Sequence, residues 1–324
     1  MNDAPHAARL ALLGIPVAFE ADDAGLLGAA LAGYSAWPGV PAEAGEPLGR
    51  LRLRFASGPV IEGAMRVVVD EPRLTLTGRG VAGWADAQRR EAEVAVAPEW
   101  ASDAQRLAAE VLDTLLLFVL TRAGRVPVHG SGVVISGTAV VLAGASGAGK
   151  STLSLAAQRA GHAVLSDDTV YVQLRPRSRV WGFPRPIHVY PADAEAAGEP
   201  ATASRLRSGK WKAAVPVPSS GAGPVADRAV VCLLERGDAV SLSPISPDEA
   251  VRRMDALLEP GFRDFRAALP EAVRALAAGG AWRLTLSGDP SEAIAAVARV
   301  VEDLAATARK DDRRGRVAIR DRLS

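Results

Sequence analysis

The segment GASGAGKS, residues 144–151, constrains the fold of this chain more than any other part of the sequence. It matches the glycine-rich phosphate loop, in which successive backbone N–H groups surround phosphate oxygens. Such a loop needs a buried strand before it and a helix after it. Residues 139–143 are all apolar and include the β-branched pair Val140 and Val141, and residues 152–160 suit a helix. The sequence therefore predicts an α/β fold with a P-loop core of mixed sheet and helices.

The residues of this loop have distinct expected roles toward a nucleoside triphosphate. The Lys150 ammonium can reach the β- and γ-phosphates, and the Ser151 hydroxyl can bind Mg²⁺. We therefore expect ATP and Mg²⁺ as cofactors, although these residues do not distinguish ATP from GTP. The expected nucleotide-binding residues are Gly144, Ala145, Ser146, Gly147, Ala148, Gly149, Lys150, Ser151 and Thr152.

Two adjacent acids, Asp167 and Asp168, come at the end of the predicted buried strand 163–165. Buried charge is costly unless it is used, so packing explains the pair poorly. One carboxylate can hold Mg²⁺ or its water, and the other can accept a proton from an attacking hydroxyl. Adjacent side chains on a strand point to opposite sides, so the two acids cannot do the same job. The alternative is a turn at the strand end with solvated acids.

A single histidine, His129, lies just before the first predicted strand of the core, in the segment Val126–Gly130. Histidine titrates near neutral pH and often takes part in catalysis. One histidine taken alone is more often structural than catalytic. These residues by themselves leave both interpretations open.

The patterns on either side of the loop predict two domains and a tail. Residues 1–101 contain short alternating apolar and polar segments between Gly and Pro turns, which predicts a smaller, β-rich accessory domain. A helix over 103–121 is expected to connect it to the rest of the P-loop domain, which spans 102–308. Residues 191–228 are expected to contain flexible loops, and the charged segment 309–324 is predicted to be a disordered tail.

Charge balance and apolar segments exclude several classes of protein. Lys and Arg number 38 against 37 Asp and Glu, which gives no reason to expect a nucleic-acid partner. The longest apolar run, Leu115–Leu120, is far too short to span a bilayer, and no membrane partner is expected. The first residues do not resemble a signal peptide, so we expect a cytoplasmic protein. The single cysteine, Cys232, lies in an apolar run and is expected to be buried.

The stretch from His129 to Asp168 resembles the catalytic core of HPr kinase/phosphorylase, the bacterial enzyme that phosphorylates a serine of the phosphocarrier HPr. The separations, 150 − 129 = 21 and 168 − 150 = 18 residues, agree with that family. The resemblance rests on four short motifs in the family's order, namely His129-Gly130, Gly149-Lys150-Ser151, Gly161-His162 and Asp167-Asp168.

The resemblance implies a role for each matching residue. His129 and Lys150 would be active-site residues, Asp168 the general base and Ser151 a Mg²⁺ ligand. Asp167 is then the acid on the metal side. It also implies a mixed sheet like that of the C-terminal domain of HPr kinase.

The chain also departs from the family. The segment 181–186 lacks the acid that supplies the family's second metal ligand, and the segment tied to the reverse, phosphorolytic reaction is missing. The better comparison is therefore the divergent group of HPr-kinase-related proteins, some of which phosphorylate precursor peptides. The resemblance implies a peptide or protein substrate with an acceptor hydroxyl. It also allows a homo-oligomer, because the true HPr kinases are hexamers.

The leading hypothesis is thus a Mg²⁺–ATP-dependent serine kinase that acts on a peptide or protein. Lys150, the loop amides and Mg²⁺ would stabilise charge on the transferred phosphoryl group. One alternative is a nucleotide-binding regulator or ATPase without phosphoryl transfer. A kinase for small molecules is the other.

Overall fold

The computed structural model of the chain describes residues 6–35, 49–57, 62–198, 200–205, 211–218 and 224–320. The described residues form two compact units, one extending to Arg125 and the other beginning at Val126. The boundary predicted from the sequence lies earlier, after Ala101. The helix over 104–122 belongs to the first unit because it packs against four strands of that unit's sheet. The predicted connector is therefore part of the first unit.

The first unit is built on one mixed sheet of seven strands, in the order β1-β2-β3-β7-β6-β5-β4. Strand β3 pairs in parallel with both β2 and β7, and the other neighbours are antiparallel. The strands are β1 (His6–Leu12), β2 (Ile15–Ala21), β3 (Gly49–Phe55), β4 (Arg66–Asp70), β5 (Arg73–Gly78), β6 (Val81–Asp86) and β7 (Glu91–Val96).

Helices cover the apolar face of this sheet. Helix α1 (Ala24–Ala32) is capped by Asp23, whose carboxylate accepts a hydrogen bond from the Leu26 N–H at 2.9 Å. A 3₁₀ turn (Pro98–Ser102) leads into a helix capped in the same way by Asp103. That helix comprises α2 (Ala104–Arg106), a π-helical segment (Leu107–Leu112) and α3 (Asp113–Arg122).

The second unit is built on a six-stranded sheet with the order β11-β9-β10-β18-β20-β19. Its centre, β10-β18-β20, is parallel, and β9, β11 and β19 are antiparallel to their neighbours. The remaining strands form a four-stranded sheet, β17-β13-β12-β8, and a three-stranded sheet, β14-β16-β15. The strands are β8 (Arg125–His129), β9 (Ser131–Ile135), β10 (Thr138–Ala143), β11 (Ala163–Ser166), β12 (Thr169–Gln173), β13 (Arg179–Trp181), β14 (Ile187–Val189), β15 (Thr202–Arg205), β16 (Trp211–Val215), β17 (Val225–Ala226), β18 (Arg228–Arg236), β19 (Ser241–Pro244) and β20 (Ala281–Leu286).

Strand β10 is buried on both faces, which explains why its sequence is apolar without alternation. Val140 and Leu142 belong to the core under α4 and α8, and Ala139 and Val141 belong to the core under α6 and α7. Cys232, on the neighbouring β18, is buried as predicted, and burial raises the pKa of its thiol to about 12. The helices are α4 (Lys150–Arg159), α5 (Pro191–Ala197), α6 (Pro247–Ala256), α7 (Leu269–Leu276) and α8 (Pro290–Arg320), with 3₁₀ turns at Pro260–Phe265 and Ala277–Gly279.

The mixed α/β architecture predicted from the sequence is confirmed, but the prediction of a disordered tail is wrong. Residues 191–228, which were expected to contain flexible loops, also contain α5, β15, β16 and β17, and 199, 206–210 and 219–223 lie outside the described residues. The segment 309–324 is helical as far as Arg320, and residues 321–324 lie outside the described part. Lys, Arg and Ala favour helix, so they let α8 continue beyond its packed first half. No helix in the described part of the chain is both long and apolar enough to span a membrane.

Gly182 allows β11 and the chain after β13 to approach closely. A Cβ at this position would lie 2.2 Å from the Leu165 carbonyl oxygen, so any side chain forces two backbones apart. The Gly182 N–H also donates to the Pro224 carbonyl at 2.7 Å. Because Leu165 lies two residues before Asp167, this contact helps to fix the end of β11.

We expect Gly182→Ala to lower the free energy of unfolding by about 1–3 kcal/mol, the range for overpacking a rigid site. Gly261→Ala is the matched control, because a Cβ at Gly261 meets nothing within 4 Å. Chemical denaturation of both variants measures the difference. Equal stability of the two variants would show that the Leu165 contact is not restrictive.

Candidate phosphate-binding and acid site

The glycine loop, residues 144–149, joins the end of β10 to the first turn of α4. Gly149 is the N-cap residue of α4 with φ of 108°, and Gly147 has φ of 80°, a region that favours glycine. A Cβ at Gly144 would lie only 3.0 Å from the Ala148 Cβ and 3.2 Å from the Leu234 Cβ. The loop therefore curves tightly before the N-terminus of a ten-residue helix, whose dipole favours anions.

Lys150 is a buried cation held against this loop. Its Nζ donates to the Gly144 carbonyl at 2.7 Å and to the Ala145 carbonyl at 3.3 Å. Burial lowers the pKa of Lys150, whereas the carboxylates of Asp168, Glu259 and, more weakly, Asp167 raise it. The sequence motif thus places an ammonium group between the glycine loop and a set of acids.

Both acids follow β11, in the turn that joins it to β12. The Ser131 hydroxyl donates a short hydrogen bond to the Asp167 carbonyl, and the Gly130 N–H donates to the Asp168 carbonyl at 2.9 Å. The Asp167 side chain is buried, whereas the Asp168 side chain is 74% exposed. The two carboxylates therefore occupy opposite environments, although they are adjacent in sequence.

The Asp167 carboxylate is buried and incompletely hydrogen-bonded. Oδ2 accepts from the His188 N–H at 3.0 Å, while Oδ1 is buried without a hydrogen-bond partner among the described residues. Burial raises the pKa of Asp167, whereas the His188 N–H and, more weakly, the Ser151 hydroxyl lower it. A buried oxygen with unused acceptor capacity beside a serine hydroxyl fits a hard cation such as Mg²⁺.

The protein alone does not form a complete metal site. Within the described ranges, no three His, Cys, Asp or Glu side chains are grouped so that they could hold an ion. Mg²⁺ in nucleotide sites keeps several waters and takes only one or two protein ligands plus phosphate oxygens. Ser151 and Asp167 match that smaller requirement.

His129 lies between two carboxylates. Its Nδ1 is 3.6 Å from Oδ1 of Asp168, and its Nε2 is 3.5 Å from Oε1 of Glu259. The ring is largely buried, with its centroid 5.6 Å from that of Phe262. These distances exceed those of good hydrogen bonds, so a small movement of either carboxylate would be needed to form a hydrogen bond with the His129 ring. His129 thus lies beside Asp168, whose carboxylate also acts electrostatically on Lys150.

Glu259 is a member of this group that the sequence analysis missed. It lies 259 − 168 = 91 residues after Asp168, immediately before the 3₁₀ turn Pro260–Phe265. No motif surrounds it, and only the tertiary fold brings it to His129. The local sequence offers no signal that would have identified it.

Lys212 is a second missed residue. Its Nζ donates to the His188 carbonyl at 3.0 Å and lies 5.3 Å from the centre of the Tyr190 ring. Burial lowers the pKa of His188, and the charge of Lys212 lowers it further. Lys212 also lowers the pKa values of Asp167 and Lys150, so its charge reaches the acid site.

Thr152, the last residue of the predicted nucleotide-binding set, has a side-chain partner on α5. Its hydroxyl donates to Oδ2 of Asp193, on α5, at 3.4 Å. On the other side of the loop, an open cavity of about 280 Å³ reaches Gly144 and Ala145. It is lined further by Leu233, Leu234, Glu235, Arg253, Ala256 and Leu257, together with Ala143.

Comparisons with known proteins add little to this geometry. No protein-family model matches the chain, and no curated protein matches it. Among solved structures, the chain is similar to the HPr(Ser) kinase/phosphatase from Coxiella burnetii, with 12% identity, covering 60% of this chain and 96% of that one. The TM-score of this match is 0.28, which is too low to support an argument. Functional inference therefore depends on the residues described above.

The burial of Asp167 leads to a testable consequence for stability. An acid whose folded pKa lies above its ordinary value stabilises the fold when protonated, and that contribution is lost as pH rises through the raised value. At neutral pH without metal, Asp167→Asn should therefore raise the free energy of unfolding by roughly 1 kcal/mol. Thermal unfolding should shift upward by about 2–4 °C.

Asp168→Asn is the matched control, because the Asp168 side chain is 74% exposed and its charge is solvated. Its unfolding temperature should stay within error of the wild type. Measurements in a chelator at neutral and at acidic pH complete the test, since the gain in Asp167→Asn should shrink in acid. A less stable Asp167→Asn variant at neutral pH would contradict the interpretation.

Proposed function

We propose that the chain is a Mg²⁺–ATP-dependent phosphotransferase that phosphorylates a hydroxyl, expected to be serine, on a peptide or protein. The observation that carries the proposal is the position of Lys150. Its ammonium group lies on the glycine loop, and the charges of one buried and one exposed carboxylate, Asp167 and Asp168, act on it. Phosphoryl transfer needs this combination of phosphate anchor, metal-side acid and base.

In the proposed complex, the loop amides and the first turn of α4 bind the phosphates. The Lys150 ammonium exchanges the carbonyl oxygens of Gly144 and Ala145 for phosphate oxygens. Because it already lies on the loop, the ammonium needs only a short movement to reach them. Its positive charge then stabilises the negative charge that develops on the transferred phosphoryl group.

Ser151 and Asp167 would hold Mg²⁺ together with phosphate oxygens. When bound, the ion neutralises phosphate charge and orients the γ-phosphoryl group for attack. The chain contributes a carboxylate whose Oδ1 has no other partner among the described residues, and a hydroxyl one residue beyond Lys150. The His188 N–H keeps the carboxylate oriented by binding Oδ2.

Asp168 is the proposed general base. It is exposed, so an acceptor hydroxyl can reach it from solvent, and it lies 3.6 Å from His129. His129 and Glu259 are the proposed positioning residues, because the two ring nitrogens face Asp168 at 3.6 Å and Glu259 at 3.5 Å, and a small movement of either carboxylate would form a hydrogen bond to the ring. The sequence resemblance favoured a catalytic role for His129 as well.

The exposure of Asp168 also supports a peptide or protein acceptor. A small-molecule kinase encloses its acceptor to exclude water, which usually requires a deep pocket beside the base. Here the base is 74% exposed, and the described cavity of about 280 Å³ lies at the glycine loop. A peptide or protein acceptor can itself shield the Asp168 side chain from water when it binds.

Lys150→Ala should weaken nucleotide binding by about 2–5 kcal/mol, the cost of depriving a buried charged group of its partner. Arg159→Ala is the matched control, since it removes a cation from the exposed end of the same helix. Calorimetric titration with ATP and Mg²⁺ measures both affinities. Equal affinities for wild type and Lys150→Ala would show that the loop does not bind phosphate.

Asp168→Asn should reduce phosphoryl transfer by about 10²–10⁴-fold, the range for loss of a general base, while nucleotide affinity stays nearly intact.

Asp167→Asn should instead raise the Mg²⁺ concentration needed for half-maximal rate. Labelled ATP, incubated with candidate peptides, measures transfer and hydrolysis separately. Hydrolysis without transfer to any acceptor would favour the ATPase hypothesis, and wild-type transfer by Asp168→Asn would refute the base assignment.

A further inference from the structure

Strand β4 is an exposed edge of the seven-stranded sheet. It pairs with β5 on one side and stands last in the strand order. All five of its residues are exposed, including three valines at 47%, 56% and 45% for Val67, Val68 and Val69. Apolar edge strands promote pairing with another chain, and proteins usually protect them with charge, proline or a covering element.

The backbone of β4 is suited to accept another strand. A two-residue turn closes on the pair Asp70 and Arg73, and the antiparallel register continues from there to Arg66. Residues of an antiparallel strand alternate between pointing their N–H and C=O groups toward and away from the neighbour. Counting from the turn, Val67 and Val69 direct these groups away from β5, toward the free edge.

The sequence of β4, Arg66-Val-Val-Val-Asp70, is complementary to itself when two copies run antiparallel. A two-fold axis through Val68 places Arg66 of one copy opposite Asp70 of the other, twice. Val67 then lies opposite Val69, so the outward backbone groups meet each other. Opposite charges directly across a strand pair stabilise it.

The charged side chains at the two ends of β4 are available to pair with those of another strand. Neither Arg66 nor Asp70 forms an ion pair with another described residue, and Arg73, which lies opposite Asp70 on β5, pairs instead with Asp86. The opposite edge of the sheet, β1, has no such complementarity, because its sequence HAARLAL contains His6 and Arg9 but no acid. We propose that two copies of this chain form a dimer by pairing β4 with β4 about an axis at Val68, which joins their two sheets.

Sedimentation velocity of the full chain, from micromolar to millimolar concentration, should show a monomer–dimer equilibrium. Arg66→Asp should raise the dimer dissociation constant by about tenfold or more, because it sets two acid pairs against each other. Asp70→Arg should do the same with two arginine pairs. The double variant restores both opposite-charge pairs and should return the dissociation constant to near the wild-type value.

Val68→Lys provides a second test, since it places two lysines face to face on the axis. Its matched control is Thr75→Lys, which adds the same charge on the adjacent strand β5 opposite Val68. Val68→Lys should dissociate the dimer, and Thr75→Lys should not. A chain that is monomeric throughout, a dimer that survives Val68→Lys, or a double charge variant that fails to recover would each refute the proposal. An edge that binds only an extended peptide would also refute it.

Discussion

The candidate site depends on a buried hydrogen bond between the Ser131 hydroxyl and the Asp167 carbonyl. Ser131 is completely buried on β9, and β9 pairs directly with β10. The acids are therefore attached to the same rigid strands that carry the glycine loop. Chemistry that depends on distances between a phosphate, a metal and a base requires such shared support, because small displacements reduce catalysis severely. The neighbouring contact of Gly182 with Leu165 limits movement of the acids from the other side.

Features encoded by nearby residues could be predicted from the sequence. The apolar segment 139–143, expected to be the buried strand before the glycine loop, lies within β10, and the helix predicted over 103–121 corresponds to 104–122. These segments have strong periodicity or continuous apolar character, and glycine sets their boundaries. Helices α1 and α7 were not predicted. The sequence of α1, AGLLGAALA, is apolar all round and contains two glycines, so it lacks a clear polar face.

The residues of the candidate site also fall into those that the local sequence predicts and those that it does not. The glycine loop, Lys150 and the acid pair could be inferred because each motif is contiguous, and the structure brings them together with His129. Glu259 and Lys212 could not, because they reach the site only through the folding of distant segments. The opposite exposure of Asp167 and Asp168 agrees with the alternation rule, although both residues lie in a turn rather than on a strand. Their individual roles stay predictions.

The Cys232 thiol can be used to measure opening of the sheet that carries the glycine loop. It is the sole sulfhydryl of the chain, and it lies on β18, beside the strand that carries the glycine loop. With a thiol pKa of about 12 and full burial, it cannot react with alkylating reagents while β18 stays closed. Its alkylation rate therefore measures opening around β18, in the second unit. Nucleotide that stabilises the second unit would slow this single reaction, so occupancy could be followed without an acceptor or a catalytic assay.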